Sequence, residues 1–478
     1  MAPHQIKGVA NVLKSIRTNR FRKTALALAL STVAAPALSA SNEEPDQRIR
    51  ILERQLENQQ EAADAKSKEA AKVTADSKGF TIQSANGDYS LSLGAVLQTD
   101  ARFFNGDGGS ANLADQLVIR RAEPSIKGKL GKYVSFVITP QFGGDTTGTR
   151  LLDLYTDLKF DPAASVRVGR FKEGIGLENL QSTPNLTFIE RGLTNNLSPT
   201  REIGATLNGL VLSDTLQYSA GIFNGASDGS DGAEVKEADN RHEYVARLFA
   251  EPFKNSPGFF QGLGVGVAGT FGATRGATSS GTPAAPVANV LISSGSGSYV
   301  SPGQNKIFAY RAAVNADGSH NHLAPQAYWY YNNYGLLGEY IISEAEVVNG
   351  ANRQNLRNTA YQFIFNYVLT GEEAGYKGVK PSAPFQIGGE GWGAFEIALR
   401  TDGLNIDSDA FTGGATSFAD LTTQVKHARE YGVATNLYLN ANTKLGLNYE
   451  YTTFKGGASG SLSRPTERAI LARLQIAY

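Results

Sequence analysis

The stretch that decides the fold is ERAILARLQIAY, residues 467–478. Ile470, Ala472, Leu474, Ile476 and Tyr478 share one face, while Arg473 takes the other. A period of two is that of an extended strand, whose successive side chains point to opposite faces. One apolar and one polar face suit a half-buried antiparallel sheet, and equally a barrel with lipid outside and water inside.

Working outward, the same period recurs in Tyr89, Leu91, Leu93, Ala95 and Leu97, and in Leu152, Leu154, Thr156, Leu158 and Phe160. It returns in Tyr361, Phe363, Phe365 and Tyr367, and in Leu445, Leu447, Tyr449 and Tyr451. Sixteen segments read this way, from 89–102 through 388–401 to 464–478. Short connections at 129–132, 161–164, 213–215 and 332–335 alternate with long ones, although 252–261 and 369–387 exceed that rule. An even strand count with alternating short and long connections predicts an all-β fold, a 16-stranded antiparallel transmembrane β-barrel, over residues 80–478. A last strand ending on an aromatic resembles the signal by which barrel proteins are recognised for outer-membrane insertion. The aromatics Tyr328, Trp329, Tyr330, Tyr331 and Tyr334 beside a turn suit an interfacial girdle.

Two segments precede the barrel. Residues 1–40 carry six basic residues and no acid, then an apolar run from Thr24 to about Ala34 and small residues up to Ala40. That order predicts a cleaved signal peptide and export. Residues 41–79 are rich in Ala, Gln and Glu, and Ile49, Leu52, Leu56, Gln59 and Ala63 follow a 3-4-3-4 spacing. This is the seam of a short N-terminal coiled-coil helix; a solvated linker and a tether to the cell wall are the alternatives.

Composition removes several classes of function. Cysteine is absent, which excludes disulfide frameworks and thiolate chemistry. Basic and acidic residues balance at 45 each, so no basic excess points to nucleic acid. Without residues 1–40 the net charge becomes −6. No GxSxG elbow occurs, and GEGWG (389–393) is not followed by the GK[ST] of a phosphate loop. No cofactor and no catalytic set is expected. His320 and His322 fall in an expected loop after Asp317, with no third metal ligand at a recognised spacing. DGSDGAE (228–234) lacks the EF-hand register and reads as a solvated loop.

The segment 172–203 does not alternate, yet it holds Ile175, Leu177, Leu180, Leu186, Phe188, Ile189, Leu193 and Leu197. A long connection with that many apolar anchors is expected to pack, and inside a barrel it would narrow the lumen.

Specific runs carry a resemblance. VGRFKEGIGLENLQSTPNLTFIERGLTNNLSPTREIG (168–204), IRRAEPSIKGKLGK (119–132), APQAYWYYNNYGLLGEY (324–340), GWGAFEIALR (391–400) and NLYLNANTKLGLNYEYTTF (436–454) resemble the phosphate-selective porins O and P. The resemblance implies a homotrimer in outer-membrane lipid whose third outer loop folds inward. It implies passive diffusion of small hydrophilic solutes, with inorganic phosphate or other small anions preferred. It also carries an anion-binding role to the adjacent Arg120 and Arg121.

Strand parity adds Arg102, Arg167, Arg247, Arg400 and Arg473 as pore-lining candidates, and the long loop adds Lys172, Arg191 and Arg201. Arginine suits oxyanions because its planar fork donates two parallel hydrogen bonds. Of Arg120 and Arg121, only one can face inward unless a bulge intervenes. Glu173, Glu190 and Glu202 flank the three loop cations and could neutralise them. One departure concerns the fifth outer loop. Phosphate-selective members place lysines there, whereas 273–305 holds only Arg275 as a charge. A general or organic-anion porin is therefore the alternative.

Overall fold

The computed structural model describes residues 43–77, 79–105, 113–144, 149–229, 231, 241–275 and 298–478. The expected signal peptide, residues 1–40, lies outside them. The chain divides into two units at Lys68/Glu69. The first contains all but the last residue of a helix, Glu43–Glu69, on which Ile49, Leu52 and Leu56 are exposed.

The second unit is a barrel. Its strands are β1 Tyr89–Phe104, β2 Gln116–Leu130, β3 Val134–Phe142, β4 Thr149–Asp161, β5 Ala164–Lys172 and β6 Arg201–Val211. Then follow β7 Leu216–Phe223, β8 Glu243–Ala250, β9 Gly262–Arg275, β10 Asn315–Tyr331 and β11 Tyr334–Asn349. The circuit ends with β12 Asn352–Val368, β13 Ala394–Asn405, β14 Val425–Tyr438, β15 Thr443–Ala458 and β16 Glu467–Ala477. Each pairs antiparallel with its neighbours, and β16 pairs β1 from Ala469↔Phe104 to Ala477↔Val96, which closes the sheet. Closure removes the two free edges of an open sheet, although β2 and β3 pair only over Ile126–Leu130 and Val134–Ile138. Tyr478 extends that seam by exchanging backbone hydrogen bonds with Ala95 at 3.0 and 3.1 Å. A further hairpin, Lys72–Asp76 with Gly79–Gln83, pairs with Ser90–Leu93 of β1, along the edge that β16 occupies from Val96 onward.

The wall is inside out relative to a water-soluble protein. Gln98, Asp100 and Arg102 on β1 are at most 2% exposed, while Leu91, Leu93 and Leu97 are more than 40% exposed. Lys444, Asn448 and Glu450 of β15 are buried, and Leu445, Leu447 and Tyr449 are exposed. Apolar side chains outside and polar ones inside are what lipid on one side and a polar lumen on the other require.

Four sequence expectations change in detail, the first being that β10 begins at Asn315, so that His320 and His322 lie on a strand and not in a loop. Strand β13 begins at Ala394, not 388, because Gly388 and Gly393 turn with φ +73° and +80°. The connection 369–393 instead folds onto Val368, Ala394 and Tyr438, burying Ala374 and Val379. Parity also splits the aromatic cluster. Trp329 stacks with Tyr331 and packs at a tilt against Phe259, whereas Tyr328 points inward to Tyr376 and the Glu251 carboxylate.

Two of the strand irregularities set side-chain direction around the lumen. The β1–β2 register jumps from Gln98↔Arg121 to Thr99↔Ile119, leaving Arg120 as the extra residue. The β3–β4 register jumps from Thr139↔Asp153 to Pro140↔Leu151, leaving Leu152 extra. A bulge places two residues opposite one and re-aims the side chains around it.

Candidate functional site: the lumen under the long loop

Residues 173–200, between β5 and β6, turn into the lumen. Ile175, Leu177, Leu186, Phe188, Ile189, Leu193 and Leu197 are all nearly inaccessible. Their backbone would be stranded there without partners, and the β10–β16 wall supplies them. Leu177 N–H donates to Glu339 at 2.5 Å, and Leu193 N–H to Asp402 at 3.0 Å. Lys444 donates to the Leu186 carbonyl at 2.7 Å and Asn436 to that of Thr187 at 2.8 Å. Arg473 and Arg400 donate to the carbonyls of Ile189 and Glu190 at 2.5 and 2.8 Å. From the opposite end of the barrel, Tyr376 donates to the Leu177 carbonyl and accepts from Gln181.

The loop therefore covers one side of the lumen and leaves a cavity of about 520 Å³ on the other. Six cations line it: Arg120, Arg121, Arg150, Lys172, Arg191 and Arg201. Glu123, Glu190 and Asp231 are the carboxylates among its lining residues, against those six. The bulge at Arg120 is what lets both adjacent arginines reach this space. Arg150 was not expected. The alternation from Leu152 onward puts it on the lipid phase, and the bulge at Leu152 reverses that phase. A charge on an apparently lipid-facing phase is only a weak sequence signal here, because Arg150 stands at the start of β4, where such a charge costs little.

The other expected residues sit elsewhere. Arg102 and Arg473 lie behind the loop, both paired with Asp100 and with Glu190. Arg400 is fully enclosed by Glu430, Glu450 and Asp402 at 3.0, 3.2 and 3.4 Å, and stacks on Phe188. These three face inward as parity indicated, but the loop separates them from the cavity. Arg167 forks onto Asp157 at 2.7 and 3.0 Å and lies over Tyr155. Arg247 bonds Gln326 and Gln217 over the Phe249 ring. Neither lines the cavity.

Within the cavity the cations differ in how they are compensated. Arg120 makes a two-point contact with Glu190 at 2.7 and 3.1 Å, and Arg201 one with Asp153 at 2.9 and 3.4 Å. Arg121 reaches Gln98 at 2.8 Å and Glu123 at 3.3 Å. Lys172 and Arg191 behave otherwise. Lys172 donates to the carbonyls of Asn179 and Gln181, and Arg191 to those of Glu178, Asn179 and Gln181. These are the orphan carbonyls at the end of the Leu177–Leu180 turn. Among the described residues, neither cation forms an ion pair. Carbonyl dipoles hold them in place without cancelling their charge.

Among the described residues, the flanking glutamates form no ion pair at these two positions. Glu190 turns to Arg102, Arg120 and Arg473. Burial pushes its carboxyl up, but Arg120, Arg473 and Arg121 outweigh burial and hold it well below the usual carboxylate range. Glu173 faces away from the cavity, where burial, then Glu243 and Glu202, push its carboxyl well up. In the fifth outer loop, residues 276–297 lie outside the described residues. Its described part contributes Ser298, Val300, Ser301 and Gln304 to the cavity, and Lys306 is exposed.

A closed sixteen-strand barrel, apolar outside and narrowed inside by its own third long loop, defines an outer-membrane channel of the porin class. The chain matches the family of phosphate-selective porins O and P over residues 91–478, and it belongs to that family. Among solved structures it is similar to the outer-membrane channel DcaP of Acinetobacter baumannii, at 10% identity and TM-score 0.51. That likeness covers 82% of this chain and 97% of the other. It is also similar to an anion-selective porin from Comamonas acidovorans, at 10% identity and TM-score 0.48, covering 82% and 100%. No curated protein matches it.

Proposed function

We propose that this channel lets small anions, inorganic phosphate among them, diffuse across the outer membrane in preference to cations. The observation that carries this reading is the cavity itself, where six cations meet three carboxylates and Lys172 and Arg191 form no ion pair among the described residues. A unit charge ~4 Å from one such cation feels about 1 kcal/mol at the permittivity of water and about 4 kcal/mol at an effective permittivity near 20. Anion and cation feel opposite signs, so even the weaker figure separates them by ~2 kcal/mol, more than tenfold. No bond is made or broken; selectivity comes from lumen width and the sign of lining charges.

The neutral Ser298, Val300, Ser301 and Gln304 of the fifth loop favour a second reading, a broader anion channel without a tight phosphate site. Titrating phosphate into a chloride-conducting bilayer separates the two. Saturable block at low phosphate supports a binding site, and a proportional, unsaturated change supports the broader channel. We further propose a homotrimer exported by a cleaved signal peptide. The exposed Ile49, Leu52 and Leu56 of the N-terminal helix offer a seam for joining three chains. Analytical ultracentrifugation of the detergent-solubilised protein, with and without residues 43–69, tests that assembly.

A further inference from the structure

The region behind the cavity contains a group that permeation does not use. His320 and His322 lie on β10, not in a loop, and a period of two sets both rings on its inner face. Their ring centroids are 4.6 Å apart. The Nε2 atoms of both converge on a single oxygen of Asp228, Oδ1, at 3.1 and 2.8 Å. Asp228 comes from the connection between β7 and β8, 92 residues before His320, which is why no ligand spacing was legible in the sequence. One potential ligand atom from each of the three residues falls within 4.8 Å of the other two.

We propose that Asp228, His320 and His322 bind a divalent transition-metal ion, zinc being the natural occupant of a two-imidazole, one-carboxylate set. Two ligand atoms about 2.1 Å from a tetrahedral ion stand ~3.4 Å apart. The observed 2.8 and 3.1 Å therefore need widening by only a few tenths of an ångström.

The surroundings of His322 point the same way. Its Nδ1 lies 2.8 Å from the Thr270 hydroxyl and 3.5 Å from Glu243 Oε1. With Nε2 bound to a metal, Nδ1 carries the proton and donates toward these oxygens, the outer-shell arrangement usual for a metal-bound histidine. With Nε2–H donating to Asp228 in a neutral ring, Nδ1 would instead turn a lone pair toward the Glu243 carboxylate. Charge adds a second argument. Glu243 and Glu173 are both 3% exposed, and both oxygens of Glu173 lack a hydrogen-bond partner. Among the described residues, no Lys or Arg forms an ion pair with Asp228, Glu173 or Glu243. A divalent cation supplies the missing positive charge, as would two imidazoliums.

The position gives the ion a purpose. Gly229 and Asp231, immediately after Asp228, line the cavity. Ser343 of β11 and Tyr299 of the fifth loop also donate to Asp228, at 2.8 and 2.7 Å. A metal there pins that stretch of channel wall to β10.

The test uses the purified full-length barrel in detergent, stripped with chelator and titrated with Co²⁺ as spectroscopic probe. The expected result is about one equivalent bound per chain, with the intense visible absorption of a tetrahedral nitrogen-and-oxygen site. Zinc should displace it, and the spectrum should be lost in His320→Gln and Asp228→Asn. Heat-dependent gel mobility confirms that each variant is a folded barrel. An unaltered spectrum in the folded variants, or no such spectrum in the wild-type protein, overturns the proposal. If neither variant folds, the wild-type spectrum decides alone. Its absence means that protonated histidines balance the carboxylates.

Discussion

The two sides of the lumen carry opposite charge and meet opposite fates. On the side of β2, β4 and the β5–β6 ends, Arg120, Arg121, Arg150, Lys172 and Arg201 stand around open space. On the side of β10 to β16, Glu339, Glu396, Asp402, Glu430 and Glu450 are all at most 6% exposed. The inward loop makes this difference, taking its backbone bonds from the acidic wall and presenting Arg191 to the other. The residues after 40 sum to −6, yet the cavity is lined by twice as many cations as carboxylates. Net charge therefore says little about the sign of a pore; which charges the loop covers says more.

The largest effect is expected from removing the cover. Replacing residues 178–196 with a short Gly-Ser linker exposes the acidic wall, and the reversal potential should change sign toward cations while conductance rises. An anion-selective variant would show that the covered acids play no part. Next in size is Arg400→Gln, which strands three buried carboxylates around a lost guanidinium. Removing one member of such a buried set costs about 3–5 kcal/mol, read as a lower temperature for loss of heat-resistant gel mobility. A barrel as stable as the wild type contradicts the structural role.

A smaller effect is expected on the open side. The double substitution Lys172→Gln with Arg191→Gln should reduce the anion-to-cation permeability ratio about tenfold, which is ~1.4 kcal/mol. Arg167→Gln, whose charge Asp157 already compensates away from the cavity, should reduce it less than twofold. Equal losses would break the distinction between compensated and uncompensated cations.

The smallest effect is with pH. Glu190 is held below its ordinary range, so its contribution to loop docking is fully present above about pH 4.3 and is lost only as pH falls through the depressed value. Glu173 is raised, so its ionisation penalty grows as pH climbs above that ordinary value and shrinks on acidification. With metal removed by chelator, stability at pH 5 should therefore be no lower than at pH 7, measured by thermal unfolding in detergent. A marked drop at pH 5 would mean that Glu190 titrates in the ordinary range.

Much of this architecture was legible in the chain, for physical reasons that also mark where legibility stops. Strand period and turn length are local, so all sixteen wall segments could be placed, but 388–393 failed because two glycines turn there, and 315–322 of β10 was read as loop. Parity correctly set Arg102, Arg400 and Arg473 inward. Whether an inward residue touches the channel depends on a loop packed from far along the sequence, and no local pattern reports that. The bulges at Arg120 and Leu152 depend on cross-strand register, so the joint entry of Arg120 and Arg121 was conditional and Arg150 was missed. Asp228 meets His320 and His322 for the same long-range reason.

The most direct test of the central claim is the zero-current potential of the wild-type channel in a planar bilayer under a potassium chloride gradient. The account predicts a potential of the sign set by chloride, surviving at neutral pH. A potential set by potassium would mean that the covered acids, rather than Lys172 and Arg191, govern what passes.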